Sequence, residues 1–336
     1  MNLSCDKYGR TFIVEACDNH FGSIDAAIAF IDGADRIGAH YVKFQHHIWN
    51  QEMDETYELS DNFNEPLHEF LKRCSLSIEE HSQLIDYCKN KNVNYLCTPF
   101  SFQAFTDLYD LGQRVFKIGS GEFQDLLFLD KISVYKDVYL LLSTGMCSEE
   151  EISEVVSHLE TRNLSFGLMN CVSEYPPKIG NPNYKYVKYL KKKFNNLDIG
   201  HSDHSPSIGS SLAAITIGAS IIEKHVTLNS CFKGPDSDVS ITFDDYELMI
   251  KLSEDISNQN YLKGISNKEL KVRSWAYRGL VANLDLKTGD KININSITSK
   301  RPSLGIPSNQ YLKILGKKIN TNIKKGVRLK WEHFEE

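Results

Sequence analysis

Two histidines, each close to an acidic residue, follow successive apolar segments of the chain. His204 comes directly after Asp203, and His225 lies two residues after Glu223. Neighbouring parallel strands end at the same edge of a sheet, so we expect the two imidazoles to lie close together. Two imidazoles leave several coordination positions of a divalent metal open, as in sites that activate a substrate. The sequence therefore predicts a Lewis-acid metal site, in which the two carboxylates fix the imidazole tautomers.

Cationic and hydroxyl side chains in other apolar segments predict an anion site. Lys43 and Lys117 lie inside such segments, where an unpaired ammonium is costly to bury. Hydroxyl donors at Thr98, Ser120 and Ser202 are expected at the same edge of the sheet. A serine or threonine at a strand end more often caps local backbone, so the prediction rests mainly on the lysines. This donor set suits a phosphate group approached from several sides.

Two further carboxylates, Glu15 and Glu122, are expected at the same edge. Such groups serve as general acids, as general bases or as ligands for sugar hydroxyls. Structural ion pairs with Lys43 and Lys117 explain them equally well, and the residues alone leave both interpretations open.

Eight short apolar runs occupy the first 230 residues, and amphipathic stretches of helical length separate most of them. The runs are Thr11–Glu15, Tyr41–Gln45, Asn94–Thr98, Val115–Gly119, Val138–Ser143, Phe166–Asn170, Leu197–Gly200 and Ser220–Glu223. Strands that alternate with helices form a parallel sheet, and eight such units can close into a (β/α)₈ TIM barrel. Enzymes of this fold carry their chemistry at the carboxyl ends of the strands, where the residues above fall. The sequence thus predicts an α/β enzyme.

Capping signals predict where several helices begin. The N-cap candidates are Ser23, Ser77 with Glu80, and Ser148 with Glu151. The segment Asn50–Leu71 is longer than a usual βα loop, which favours a functional role. A last amphipathic helix is predicted over Phe243–Leu262.

The chain is predicted to contain two domains. Residues 1–262 form the catalytic barrel, the polar residues 263–272 form a linker, and residues 273–336 form a small β-rich domain. From Arg273 to the end, 13 Lys and Arg face only 5 Asp and Glu, although the whole chain has a net charge of -6. The lysines are spread out and lack the patterns of nucleic-acid readers, so we expect the basic tail to dock on an acidic barrel and to bind no nucleic acid.

Composition and cysteine usage indicate the cellular compartment of the protein. The chain has 336 residues, of which 41% are hydrophobic, as in ordinary globular proteins. No run approaches the roughly 20 apolar residues of a membrane span, and the first residues do not resemble a signal peptide. The eight cysteines are scattered and form no Cys-x-x-Cys pair. These features predict a cytoplasmic protein with reduced thiols and no membrane partner.

The motifs, taken in order, resemble one family. They are Glu15-Ala-Cys-Asp-Asn-His20, Val42-Lys-Phe-Gln45, Cys97-Thr-Pro-Phe-Ser101, Phe116-Lys-Ile-Gly-Ser-Gly-Glu122, Leu142-Ser-Thr-Gly-Met146, Cys171-Val-Ser-Glu-Tyr-Pro176, Ile199-Gly-His-Ser-Asp-His204, Ile222-Glu-Lys-His225 and Gly234-Pro-Asp236. Together they resemble the N-acetylneuraminate (sialic acid) synthase family, which includes legionaminate and pseudaminate synthases. The tail resembles that family's antifreeze-like domain (SAF, a β-clip fold) through Arg278-Gly-Leu-Val-Ala282 and Lys300-Arg-Pro-Ser-Leu-Gly-Ile306.

The resemblance implies a reaction in which phosphoenolpyruvate condenses with the open-chain aldehyde of an N-acylated mannosamine-type sugar. Phosphate is released and a nine-carbon 2-keto acid is formed. The implied product is N-acetylneuraminate or legionaminate, since Gly119-Ser-Gly-Glu122 is more similar to that branch than to the pseudaminate branch.

The resemblance also implies roles for individual residues. His204 and His225 would hold a divalent metal, usually Mn²⁺ with Mg²⁺ or Co²⁺ as alternatives. Phosphoenolpyruvate would be held by Lys43, Thr98, Lys117, Ser120 and Ser202. The sugar would contact Gln45, Glu122, Tyr175, Asp236 and Arg301. Glu122 would also act on the attacking water, Glu15 would lie near the reacting carbons, and Arg301 would come from the partner subunit of a domain-swapped homodimer.

Two other interpretations stay open. One is a phosphoenolpyruvate-condensing barrel of the octulosonate or heptulosonate phosphate type, which accepts a sugar phosphate. The other is a non-catalytic sugar-binding barrel. The chain also departs from the family, because the segment after Glu15 lacks the usual Gly and Gly279 follows Arg278 where Ser is usual.

Overall fold

The computed structural model describes residues 3–54, 66–178, 183–231, 234, 236–257 and 264–335. The chain divides into two compact units, Met1–Gln259 and Asn260–Glu336. Each unit has its own apolar core.

Parallel strands close the first unit into an eight-stranded barrel, with β1 paired to both β2 and β8. The strands are β1 (Thr11–Glu15), β2 (Tyr41–His46), β3 (Asn94–Pro99), β4 (Val115–Ile118), β5 (Tyr139–Ser143), β6 (Ser165–Cys171), β7 (Asp198–Asp203) and β8 (Ile221–His225). Every residue of β1, β5 and β8 is buried, as expected for strands that are covered on both faces. The predicted TIM barrel is confirmed.

Helices surround this barrel. They are α1 (Ile24–Ile37), α2 (Trp49–Glu52), α3 (Leu67–Cys74), α4 (Ile78–Lys89), α5 (Phe102–Asp110), α6 (Leu126–Ile132), α7 (Glu149–Thr161), α8 (Tyr186–Lys193), α9 (Gly209–Thr216) and α10 (Phe243–Ser257). The three predicted N-caps are confirmed, and two of them form complete capping boxes. The last barrel helix ends at Ser257, and residues 258–262 of the predicted helix lie outside the described residues.

The inside of the barrel is layered. Apolar residues that point inward from successive strands form one cluster: Ile13, Tyr41, Leu96, Tyr139, Leu141, Met169 and Ile221. Strand side chains alternate between the two faces, so the next inward position is two residues further along each strand. That position is polar in most strands: Glu15, Lys43, Thr98, Lys117, Ser143, Ser202 and Glu223. The apolar layer therefore forms the floor beneath a polar layer at the carboxyl end.

The second unit contains α11 (Asn267–Ala276) and an antiparallel pair, β9 (Gly279–Ala282) and β10 (Ile297–Lys300). Its core is rich in isoleucine, including Ile306, Ile314 and Ile319. Helix α11 includes residues that we assigned to the linker. A capping box between Ser266 and Glu269 starts this helix, and none of its residues is buried, which explains why its sequence resembles a solvated connection.

No described helix is long and apolar enough to cross a membrane. All eight cysteines are free thiols.

Candidate active site

Four buried charged residues, one from each of the strands β1, β2, β4 and β8, form the centre of the polar layer. The Nζ atom of Lys43 lies 2.6 Å from Oε2 of Glu15 and 3.8 Å from Oε2 of Glu223. The Nζ atom of Lys117 lies 3.5 Å from Oε1 of Glu223. All four residues are at most 3% exposed, so their charges interact with little solvent screening. Glu223 therefore bridges the two lysines, and the structural pairing expected for Glu15 is present.

Hydroxyl groups complete this cluster. Lys43 donates to Oγ1 of Thr98 at 3.1 Å, and Lys117 donates to Oγ of Ser143 at 2.6 Å. Ser202 donates its hydroxyl to Oε1 of Glu223 at 2.8 Å. The barrel thus brings together four of the five predicted phosphate-binding residues.

The fifth predicted phosphate-binding residue, Ser120, lies beyond the end of β4. Its hydroxyl accepts a hydrogen bond from the backbone N–H of Gly145 at 3.1 Å. A Cβ atom built on Gly145 would lie 2.6 Å from that hydroxyl and would also clash with Ser173. Because Gly145 has no side chain, it leaves room for Ser120 at the mouth of the barrel.

Burial and charge set the protonation of these groups. Burial raises the pKa of Glu15 to about 7, against the opposing effect of Lys43. Burial acts to lower the pKa of Lys43, but Glu15 and Glu223 outweigh it and hold the pKa above its ordinary value. The pKa of Glu223 is lowered despite burial, because Lys117 and Lys43 stabilise its charge. Once Glu15 takes a proton near neutral pH, the two ammonium groups outnumber the remaining carboxylate, which leaves positive charge for a ligand anion.

The two predicted metal ligands are neighbours. The rings of His204 and His225 have centroids 5.3 Å apart, and both residues are buried. His204 donates from Nδ1 to the carbonyl of Val172 at 2.8 Å, and the hydroxyl of Tyr175 lies 3.2 Å from its Nε2. Burial and the neighbouring His204 lower the pKa of His225 well below its ordinary value, so its ring is neutral, which is the form that binds metal.

The predicted carboxylate partners of these histidines are wrong. Asp203 points away from the barrel interior. On the outer side of β7, its Oδ2 atom lies 3.3 Å from Nζ of Lys224 and accepts a hydrogen bond from the hydroxyl of Ser211 at 2.7 Å. Consecutive strand residues face opposite sides, so Asp203 cannot share the face of His204. Glu223 faces inward but is occupied by the lysines. Among the described residues, the backbone carbonyl of Val172 and not a carboxylate accepts from Nδ1 of His204 and so fixes its tautomer.

Glu122 lies near the charged cluster and makes no ion pair with any residue that the structure describes. Among the described residues its Oε2 atom is buried and has no hydrogen-bond partner, and a Cβ atom on Gly119 would lie 2.5 Å from it. Burial raises the pKa of Glu122 to about 7. The ion pair with Lys117 that we considered is absent from the contacts of the described chain. Glu122 is thus a carboxyl group able to take or give a proton near neutral pH.

A chain of polar contacts leads outward from Glu15. Gln45 makes a long contact of 3.5 Å from Nε2 to Oε1 of Glu15, and its Oε1 atom lies 2.9 Å from Nε2 of His47. The other ring nitrogen of His47 lies 2.8 Å from Oε1 of Glu52. This relay runs to the start of the segment 55–65, which lies outside the described residues. It orients Gln45, one of the predicted sugar contacts.

A third group of potential ligands lies beside His225. Single ligand atoms of Cys17, His225 and Asp236 all lie within 4.8 Å of one another, and all three residues are buried. Burial raises the pKa of Cys17, with the carboxylate of Asp236 as the next cause. Asp236 was predicted as a sugar contact, whereas Cys17 was not singled out as a site residue.

Two other predicted sugar contacts differ in their surroundings. Tyr175 is 42% exposed, and its ring stacks on His204 with centroids 4.3 Å apart. Arg301 belongs to the second unit, where its guanidinium lies over the ring of Trp275 at 5.6 Å. Tyr175 therefore contacts the histidine pair, while the ring that Arg301 contacts, Trp275, belongs to the second unit.

Sequence reasoning assigned no role in the site to Cys17, Ser143, His47 or Glu52. Alternation along β5 could have found Ser143, because it lies two residues after Leu141 of the apolar floor. Cys17 follows β1 in a turn, and Glu52 ends the short helix α2, so the alternation of a strand gives no signal of direction for either residue.

Comparisons with known proteins find similar families, sequences and structures. A model of the NeuB family matches residues 30–264, and a model of the SAF domain matches residues 277–335. The N,N'-diacetyllegionaminic acid synthase of Campylobacter jejuni is 33% identical, with 93% of this chain and 96% of that protein covered. The pseudaminic acid synthase of the same organism is 30% identical, with 99% of each covered. The structure of the N-acetylneuraminic acid synthetase from Leptospira borgpetersenii, in complex with citrate, matches with a TM-score of 0.70 and 27% identity over 78% of this chain and 90% of that one.

Proposed function

The chain belongs to the NeuB family, and from this premise we propose that it condenses phosphoenolpyruvate with the open-chain aldehyde of an N-acylated hexosamine. The products are a nine-carbon nonulosonic acid and inorganic phosphate. The observation that carries the proposal is the buried pair Lys43 and Lys117, surrounded by hydroxyl groups at the carboxyl end of the barrel. The relatives named above are synthases of this kind of acid.

Phosphoenolpyruvate binds at the lysine pair. Lys43 and Lys117 supply charge to its anionic groups, and hydroxyl groups of Thr98, Ser120 and Ser202 donate to its oxygens. Glu223 holds the two ammonium groups in position before the ligand arrives, since its carboxylate lies within ion-pair distance of both of them. Preorganised donors of this type need little rearrangement when the ligand binds.

The sugar binds above this layer. Gln45, Tyr175 and Asp236 contact its hydroxyl and acyl groups, and Glu15 lies near the carbons that react. Arg301 comes from the partner subunit of a domain-swapped homodimer and closes the pocket. An arginine suits this role because its planar fork binds sugar oxygens in a fixed geometry that lysine cannot copy.

His204 and His225 hold a divalent metal, with Mn²⁺ as the expected ion and Mg²⁺ or Co²⁺ as alternatives. The donor set fits such an ion in two respects. In the part of the chain that the structure describes, the buried Nδ1 atom of His225 has no hydrogen-bond partner. The Nδ1–H group of His204 is fixed on a backbone carbonyl, which directs the lone pair of Nε2 toward the site. The metal supplies Lewis-acid polarisation of the aldehyde oxygen.

Glu122 manages the proton of the water. Carbon 3 of phosphoenolpyruvate bonds to the aldehyde carbon, and water then adds to the electron-poor carbon 2. Phosphate leaves with its bridging oxygen once that adduct collapses to the 2-keto acid. With a pKa of about 7, Glu122 is able to accept the water's proton and later return it.

The sugar is free of phosphate and belongs to the neuraminate or legionaminate branch. The Gly119-Ser-Gly-Glu122 segment supports this branch, and so does the 33% identity to a legionaminic acid synthase. We further propose a cytoplasmic location, since phosphoenolpyruvate is made there and all eight cysteines are free.

Phosphate release from phosphoenolpyruvate tests the proposal. The panel contains N-acetylmannosamine, a diacetamido-trideoxyhexose, their phosphate esters and simple pentose and tetrose phosphates, each with Mn²⁺ or after metal stripping with a chelator. We expect release only with a free N-acyl sugar and metal. Turnover confined to sugar phosphates would instead support the octulosonate or heptulosonate type, and full turnover of the stripped protein would exclude the metal role.

A further inference from the structure

We propose that Cys17 and Asp236 join His225 as ligands of the metal, so that this protein binds its ion through a thiolate. The inference deepens the proposed metal site and rests on His225 holding an ion. It assigns a sulfur ligand to a site for which the sequence predicted only two imidazoles.

The first argument is proximity under burial. One potential ligand atom from each of the three residues lies within 4.8 Å of the others, and the residues are only 4–8% exposed. Ligand atoms about 2.0–2.3 Å from a tetrahedral ion lie roughly 3.3–3.8 Å apart, so small side-chain rotations close the set. The Nδ1 atom of His225 is buried without a hydrogen-bond partner among the described residues, so no contact of the described chain occupies this nitrogen.

The second argument is the backbone at Cys17. Its φ angle is 45°, in the left-handed region that residues other than glycine rarely adopt. Cys17 therefore carries a side chain at a position where glycine would avoid strain. A side chain kept in a strained conformation beside two potential ligands points to a function for its sulfur.

The chemical consequence is a metal preference that differs from the Mn²⁺ expected for a site with two histidines alone. Thiolate ligands favour Zn²⁺, Co²⁺ and Fe²⁺ over Mg²⁺ and Mn²⁺, which prefer oxygen ligands. The thiol of Cys17 loses its proton to solvent when the ion binds, so binding tightens as pH rises. One oxygen of Asp236 binds the ion, and the other stays available for a sugar hydroxyl.

Titration of the metal-free full-length protein with Co²⁺ tests the inference without using turnover. A cobalt–thiolate bond gives a sulfur-to-metal charge-transfer band in the near ultraviolet. We expect this band in the wild type and its loss in Cys17→Ser and Cys17→Gly. Glycine tolerates the positive φ angle, so the second variant keeps the fold even if serine does not. Cys88→Ala, which removes a buried thiol on α4, should keep the band.

The affinity ratio provides a second readout. We expect the preference for Zn²⁺ over Mn²⁺ to fall by about tenfold or more in Cys17→Gly, as for other changes around a metal. A band that persists in both Cys17 variants would overturn the inference. A second result would also overturn the inference: Co²⁺ binds to the wild type without giving the band, and does not bind to His225→Ala. That result would leave the proposed two-histidine site intact, and it is the one expected if Cys17 only donates a hydrogen bond to Asp236.

Discussion

At the scale of single residues, the active site depends on which face of a strand a side chain occupies. His204 and Asp203 are adjacent in sequence, yet one faces the mouth of the barrel and the other pairs with Lys224 behind it. The lysine pair shows the opposite relation, because Lys43 and Lys117 come from different strands and meet at Glu223. Charge at the centre is therefore balanced by contacts between strands.

We predict that His204→Ala and His225→Ala each abolish most of the turnover and keep the fold. Polar residues at the strand ends of this fold serve function, whereas stability lies in the packed layers below. Metal affinity should fall by at least the roughly 10–100-fold that the loss of an outer-shell partner causes. Phosphate release, metal content and circular dichroism of the purified variants measure these effects.

His201→Ala is the matched control for this pair. His201 is a buried histidine of β7 that bonds to Asn170 and Ser210 and not to the histidine pair. Its loss should lower the melting temperature but leave the metal content of the folded protein unchanged. A His204 or His225 variant that unfolds, or that keeps near-wild-type turnover, would contradict the assignment.

Glu122 gives a prediction about pH. The folded protein keeps this carboxyl group protonated up to about pH 7, whereas the unfolded chain ionises it above about 4.5. The free energy of unfolding therefore falls as pH rises from about 4.5 to about 7. Glu122→Gln removes this loss, so the variant should be more stable than wild type at pH 8 by about 1–3 kcal/mol, with little difference at pH 4.

Urea unfolding of both proteins at the two pH values measures the difference. Glu154→Gln, which changes an exposed carboxylate on α7, should show no such dependence on pH. A Glu122→Gln variant that is equally stable relative to wild type at both pH values would show that burial does not perturb this group.

The sequence predicted most of the candidate site because a strand's alternation fixes the direction of its side chains. Lys43, Thr98, Lys117 and Ser202 meet as expected. Alternation gave no direction beyond the last strand residue, so Cys17 was missed. The partners of the histidines were assigned wrongly because closeness in sequence was used where the pleat separates neighbours.

At the scale of secondary-structure elements, the apolar runs located the strands within a few residues. The errors lie at the carboxyl ends, where β7 continues to Asp203 and β8 to His225 beyond the predicted ends at Gly200 and Glu223. Polar residues end an apolar run in the sequence, but here their backbones still pair while their side chains serve the site. Functional residues thus make a strand look shorter than it is.

A substitution of Gly145 tests whether the backbone that follows β5 must leave room for Ser120 in the phosphoenolpyruvate site. Gly145→Ala places a Cβ atom against the hydroxyls of Ser120 and Ser173, which must rotate away. Such a shift costs about 0.5–1.5 kcal/mol, so we expect the KM for phosphoenolpyruvate to rise by up to about tenfold with little loss of stability.

Steady-state phosphate release at varied phosphoenolpyruvate concentration measures that change. Gly209→Ala at the start of α9 serves as the control, because the one atom of the described residues within 4 Å of its Cβ atom is Oγ of Ser207, at an ordinary contact distance of 3.7 Å. Equal KM values for both alanine variants would remove Ser120 from the binding site.

At the scale of the whole molecule, the chain combines an acidic catalytic unit with a small basic one. The second unit has a compact isoleucine-rich core of its own, although it spans only Asn260–Glu336. The sequence predicted its β-rich character, but not α11, whose exposed faces lack the periodicity that marks a packed helix. The proposed swapped dimer explains the charge difference, since the basic unit of one subunit would bind the acidic barrel of the other.

Subunit mixing tests that arrangement through Arg301 and His225. Arg301→Ala and His225→Ala should each be nearly inactive as homodimers, because every site has one defect. If Arg301 serves the partner's barrel, a mixed dimer contains one site with both defects and one with neither. Half of the dimers formed by random pairing are mixed, and each has one working site of two, so activity should recover to about a quarter of wild type.

The measurement is phosphate release after the two variants are refolded together, with differently sized tags to demonstrate exchange. A mixture of His204→Ala with His225→Ala is the control, because both defects then lie in the barrel, no mixed dimer has an intact site, and the mixture should stay inactive. Mixtures that stay inactive despite exchange would assign Arg301 to its own subunit's site or outside the site altogether.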